Sequence, residues 1–254
     1  MAKILKGSML AGLRGSFDDY TIYQTKNGPV IRKKSSVSKS RFANDPCYAK
    51  VRDNNKEFGN AGRAVKLIRS AFNRQLVFAK DAKLTPRMQK LMMQVVKSDA
   101  VADHGERSAA NGDLSFLKQF DCNAAAQIDR ILQSPHSVEI DRARGKVKLA
   151  LPSIVPTKQL AQPAGATHYR VICASSEIDF TGNNYHTSIS ESPLLPIGNT
   201  ASDALTLCTG FTPRSVLPVF VALGIQFVEL INGKEFQEDY NRYNPLCFVK
   251  IEKP

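Results

Sequence analysis

The sequence predicts an α+β chain with three parts: an N-terminal β-hairpin, basic amphipathic helices, and a C-terminal antiparallel β-sandwich of immunoglobulin/fibronectin-like type. Three observations predict it. A Tyr/Ile-rich run turns at Asn27-Gly28 and returns through Val30-Ile31. Apolar residues between 53 and 97 recur at steps of three and four. From residue 136 the hydrophobic period falls to two, with turn signals between short runs. The expected divisions are a basic hairpin arm over 1–45, a basic helical region over 46–133 and a sandwich over 134–254.

In the arm, Tyr20, Ile22 and Tyr23 are β-formers, and Asn27-Gly28 suits a type I′ turn because both residue types accept positive φ. Pro29 lacks an N–H and favours an edge position. A basic, Ser-rich loop follows from Arg32 to Phe42. The first helix is expected over about 53–78, with Phe58, Ala61, Val65, Ile68, Phe72 and Leu76 on its apolar face. Lys56, Arg63, Lys66 and Arg74 fall on the other side, with Arg69 on the flank. The second helix opens with Thr85 as N-cap and Pro86 at the first helical position. Its apolar face is Met88, Leu91, Met92, Val95 and Val96, and Arg87, Lys90 and Lys97 cluster elsewhere. Residues 99–113 read as a connection, and 123–133 as a helix capped by Asn123.

Beyond 136, a hairpin of SVEID and KVKLAL places Val147, Leu149 and Leu151 on one face. Further strands are expected at 168–174, 185–190, 204–210, 216–231 with a break at Gly224, and 246–252. Six or seven short strands in this length fit a sandwich. The chain has no Trp, which removes the Cys…Trp…Cys pattern of a true immunoglobulin domain.

Composition narrows the function. The chain has 254 residues and a formal charge of +12. Residues 1–100 hold 21 Lys/Arg against 7 Asp/Glu, a net of +14, while the remainder nets −2. An excess confined to one end points to an acidic partner there. No apolar run reaches the roughly 18 residues of a membrane span. The opening residues lack a secretory h-region and cleavage site, which predicts a cytoplasmic protein. Five cysteines without a CxxC pair predict free thiols in a reducing compartment.

Catalytic signatures are thin. Gly7, Gly12 and Gly15 lack the Lys-Ser/Thr of a phosphate-cradling loop, and there is no GxSxG elbow. His168 and His186, with Cys173 and Cys208, lack the close ligand pairs of structural zinc. His104-Gly105-Glu106-Arg107 has no evident partner, and Glu235, Glu238 and Asp239 read as a solvated acidic loop. The expectation is therefore no catalytic residue, no metal and no cofactor. The residues expected to meet nucleic acid or another acidic partner are Lys26, Arg32, Lys33, Lys34, Lys39, Arg41, Arg63, Lys66, Arg74, Arg87 and Lys90. Tyr20, Tyr23 and Phe42 are the aromatic residues placed to stack on bases.

The segments GSMLAGLRGSFDDYTIYQTKNGPVIRKK and FGNAGRAVKLIRSAF resemble the N-terminal parts of a Bacteroidota protein family with no assigned activity. Members share a Gly-containing start, a strand, a turn, a returning V-I-R strand, helices and a β-rich C-terminus. The resemblance implies a non-enzymatic protein of intracellular origin. The resulting expectation is a structural or interaction protein, a subunit or accessory of a larger assembly such as a virion or filament, that self-associates or docks on other subunits through its basic end. The alternative is a nucleic-acid-binding protein that uses residues 1–100 for sequence-independent phosphate contacts.

Overall fold

The computed structural model describes residues 2–3, 12–25, 28–236, 240 and 242–254. They form two compact units, 1–52 and 53–254.

In the first unit, strands β1 (Ala2–Lys3), β2 (Gly15–Phe17), β3 (Tyr20–Thr25) and β4 (Gly28–Lys33) make an antiparallel sheet of order β1-β4-β3-β2. The expected hairpin is thus extended by a strand on each side. Thr25 pairs with Gly28, so Gly28 lies in the ladder at φ +108; the turn itself and Lys26 lie outside the described residues. Pro29 pairs only with Gln24, beyond the stretch of β4 that β1 covers, which suits its missing N–H. Helix α1 (Lys39–Asn44) is capped by Ser38, whose hydroxyl accepts from the Arg41 N–H. A 3₁₀ turn, Pro46–Tyr48, then leads into α2 (Ala49–Ala71).

The second unit takes α2 from Asp53 onward, then α3 (Asn73–Leu76), α4 (Leu84–Lys97), β5 (Phe120–Asp121), α5 (Ile128–Ile131), β6 (Ser137–Asp141), β7 (Lys146–Leu151) and α6 (Pro156–Gln159). Strands β8 (His168–Asp179), β9 (Asn184–Glu191), β10 (Leu195–Pro196), β11 (Leu205–Gly210), β12 (Val219–Ile231), β13 (Lys234–Phe236) and β14 (Leu246–Glu252) follow. One sheet runs β10-β8-β12-β14-β5, with β9 also on β8 and β13 on β12; a second runs β11-β7-β6. All pairings are antiparallel.

Strand alternation explains the layering. Ala174, Ile178, Phe220, Ala222, Leu246 and Phe248 pack with α2 and α4 residues such as Ile68, Phe72, Met88 and Met92. The opposite face of the same strands, with Tyr169, Val171, Cys173, Val221, Leu223 and Val249, packs with Val147, Leu149 and Leu151 of the small sheet. The two sheets therefore face each other as a sandwich, and helices cover the outer side of the larger one. Its sheets hold seven and three strands, against four and three in an immunoglobulin constant domain. The boundary expected at 133/134 falls inside this body, because helix and sheet residues share one core. The unit boundary near 45 moves to 52/53, within α2.

Several local expectations are corrected. Phe58 is 58% exposed, and Glu57 occupies the inward position beside Ala61, Ala64, Val65 and Ile68. The first helix breaks at Phe72 (φ −106, ψ 21) before α3. α4 starts at Leu84, with Lys83 at the cap position and no side-chain cap, so Thr85 lies inside the helix. Asn123 caps a turn and not a helix: its Oδ1 accepts the Ala125 N–H at 3.1 Å, its amide donates to the carbonyls of Arg242 and Asn244, and α5 begins only at Ile128. β12 runs unbroken through Gly224, where a Cβ would stand 3.1 Å from Leu246 and 3.3 Å from the Pro245 carbonyl. That glycine serves close strand approach.

Phe248 touches Phe72 (5.1 Å between centroids) and Phe220 (5.8 Å), joining helices to sheet. Phe248→Ala should lower stability by about 3–5 kcal/mol, read by urea unfolding. Phe58→Ala should change it by less than about 0.5 kcal/mol. A large loss at Phe58 would contradict the observed helix register.

Candidate functional site

The inward faces of α2 leave Arg63, Lys66, Arg69 and Ser70 facing solvent. Arg63, Lys66 and Ser70 border a groove of about 750 Å³ that is also lined by Asn60, Glu106, Phe180, Asn183 and Tyr185. A second hollow of about 440 Å³, between Lys66, Arg69, Ser70, Asn73 and Tyr185, shares Lys66, Ser70 and Tyr185 with it. The two hollows adjoin along the helix at these three residues and together are called the trough.

One wall is the turn between β8 and β9. Thr187 on β9 donates its hydroxyl to the Ala71 carbonyl at 3.0 Å, which ties this strand to the end of α2. The Asp179 carboxylate accepts the N–H groups of Thr181 (2.9 Å) and Gly182 (2.8 Å), and Asn183 takes the left-handed φ of +54. Phe180 packs edge-on against Phe220 of the core, 6.3 Å away. Tyr185 follows and is 41% exposed.

The other wall, residues 106–109, is set by two buried carboxylates. Glu57, fully buried on α2, accepts from the Gly105 N–H at 2.9 Å and from Arg107 Nε at 2.7 Å and Nη2 at 3.2 Å. Burial pushes its pKa up, but these donors outweigh it and hold the carboxyl below its usual range. Asp99 behaves alike: burial opposes its ionised form, and the N–H groups of Ser108, Val101 and Ala102 more than offset it. The His104–Arg107 segment thus does have a partner, and that partner is structural.

The residues expected to meet an acidic partner separate into groups. Arg63 and Lys66 meet in the trough, joined by Arg69, which the sequence placed on a flank. Arg63 also donates to Asn60 Oδ1 at 2.5 Å. Among the described residues, no carboxylate lies within ion-pair range of Lys66 or Arg69. Arg74 and Lys90 are exposed away from the trough lining. Arg87 is spent internally: it binds Asp81 at 2.5 Å and the Asp121 carbonyl at 2.8 Å, and lies 4.9 Å from the Phe120 centroid. In the first unit, Arg32, Lys33 and Lys39 are exposed, Arg41 pairs with Asp45 at 3.2 Å, and Lys34 Nζ donates to the Asp18 carbonyl at 2.5 Å. Phe42 packs on Tyr48, 5.5 Å away.

The five cysteines are free thiols. Burial pushes the thiols of Cys122 and Cys247 up, and that of Cys173 up to about 12, so all three are protonated at neutral pH. His168 begins β8 while His186 pairs with Glu177 near its end, which separates the two histidines along the strand.

No family model matches the chain, and no curated protein matches it. A solved structure concerning pH-induced modulation of Streptococcus parasanguinis adhesion by Fap1 fimbriae is similar over 44% of this chain and 77% of that chain, at 15% identity and a TM-score of 0.24. A likeness that loose does not establish a common fold.

Glu57→Gln should destabilise the protein by about 3 kcal/mol near neutral pH, because it leaves Arg107 unpaired. A carboxyl with a depressed folded-state pKa stabilises above its unfolded pKa and loses that contribution as pH falls through the folded one. The gap between wild type and variant should therefore shrink below about pH 4. An unchanged gap at pH 3, by urea unfolding, would contradict the role given to the carboxylate.

Proposed function

We propose that this chain is a non-enzymatic subunit or accessory of a larger assembly, docking through its basic N-terminal arm onto further copies of itself. The observation that carries this reading is how little of the described arm is buried. Among residues 12–25 and 28–52, only Ile22 and Pro29 are buried. Phe17 and Tyr20, directly paired across β2 and β3, are 77% and 46% exposed, and Leu13 is exposed nearby in sequence. A small sheet with so few buried side chains among its described residues gains little from its own contacts. β2 ends the sheet, so its outer edge offers backbone groups for strand addition beside an aromatic pair. Burial keeps the thiols of Cys122, Cys173 and Cys247 protonated, which takes those three out of nucleophilic chemistry, and free cysteines suit a cytoplasmic setting.

A second reading, nucleic-acid binding through residues 1–100, is favoured by the trough, where three cations stand along one helix.

Size-exclusion chromatography with light scattering separates the outcomes. The full chain should form a defined oligomer at moderate salt, and Phe17→Asp with Tyr20→Asp should return monomers with the melting temperature of the 53–254 body unchanged. A wild-type monomer across the accessible concentration range would overturn docking through the arm.

A further inference from the structure

We infer that the trough between α2 and the β8–β9 turn binds single-stranded nucleic acid, with Tyr185 stacking on a base while Arg63, Lys66 and Arg69 hold successive phosphates. This deepens the phosphate-contact reading given above and rests on it.

Spacing supports the phosphate role. Arg63, Lys66 and Ser70 recur at three and four residues, so polar groups line one face at about one per 5.4 Å turn. Lys66 and Arg69 have no carboxylate in ion-pair range among the described residues, so their charge is available to a ligand. Of the negative groups nearby, Glu106 in the lining lies 3.1 Å from Lys56, and Asp179 beside the turn accepts two backbone N–H groups.

The aromatic residue selects the strandedness. Tyr185 borders both hollows, and its strand is fixed to the helix by the Thr187–Ala71 hydrogen bond. A π-face held beside a line of cations is the arrangement that binds an unpaired base next to its own backbone. A duplex keeps its bases stacked and paired, out of reach of a side chain standing in a trough. Asn73 and Asn183 add amides that can donate to and accept from base edges or sugar hydroxyls. An acidic peptide would satisfy the cations and leave Tyr185 without a role.

The test is fluorescence anisotropy of the full chain with a labelled 12-nucleotide oligo(dT) and with a 12-base-pair duplex, across a salt series starting near 50 mM. The single strand should bind more tightly than the duplex. Tyr185→Ala should weaken it by about 5- to 150-fold, and Tyr185→Phe should keep it. Lys66→Gln with Arg69→Gln should reduce the steepness of the logarithmic salt dependence by about 1.4, or 0.7 for each phosphate no longer neutralised. All three positions are exposed, so the variants should melt with the wild type. Equal affinity for duplex and single strand, with no effect of Tyr185→Ala, would overturn the trough assignment and leave general phosphate binding standing. No binding of either probe at 50 mM salt would overturn both.

Discussion

Ten consecutive residues of β12, Val219–Val228, are buried, and β8 lies against all ten in antiparallel register. A strand covered on both faces is apolar along most of its length, which is why VFVALGIQFV reads as a near-continuous run with Gln226 its one polar side chain. Its alternation sends Phe220 and Ala222 toward the helices and Val219, Val221 and Leu223 toward the small sheet. Removing either layer would expose half of the strand pair, so the helices and the sandwich depend on each other. The cluster of Phe72, Phe220 and Phe248 is where that dependence is most concentrated.

Charge follows from the same packing. Four of the seven acidic residues in the first hundred, Asp45, Glu57, Asp81 and Asp99, are consumed by backbone N–H groups and guanidinium ions that hold their pKa values down. They pin a cap, the 99–113 segment and the start of α4. Among the described residues, Lys66 and Arg69 on the outer side of α2 have no carboxylate in ion-pair range. The positive field of this end is thus concentrated where it is uncompensated, and the 106–109 and 180–183 walls frame it.

Patterns that repeat locally are legible in the sequence. The alternation of Val147, Leu149 and Leu151 and the bounds of β14 match the fold closely, and so does the buried set Met88, Met92, Val95 and Val96. Positions decided by distant partners are not. Glu57 reads as a solvent residue until Arg107 and Gly105, about fifty positions on, supply its donors. Phe58 yields to it because an ion-paired carboxylate at 57 keeps the helix register that buries Ala61, Val65 and Ile68. Arg87 reads as a free cation, since nothing nearby announces carbonyl partners at Asp121 and Cys122. Tyr185 lies in an ordinary turn-flanking run; its place beside Lys66 comes from β9 pairing with β8 and from Thr187 reaching Ala71. Arg63 and Lys66 are accessible to sequence reasoning because helical spacing alone puts them opposite the core.

The central claim is that helices and sheets of residues 53–254 form one cooperative body around β8 and β12. Native-state hydrogen exchange under increasing denaturant tests it directly. Amides in the middle of α2 and α4 should exchange through the same global opening, with the same free energy and denaturant slope, as those of β8 and β12. Helical amides that exchange through a separate opening of lower free energy, while the strand amides stay protected, would contradict it.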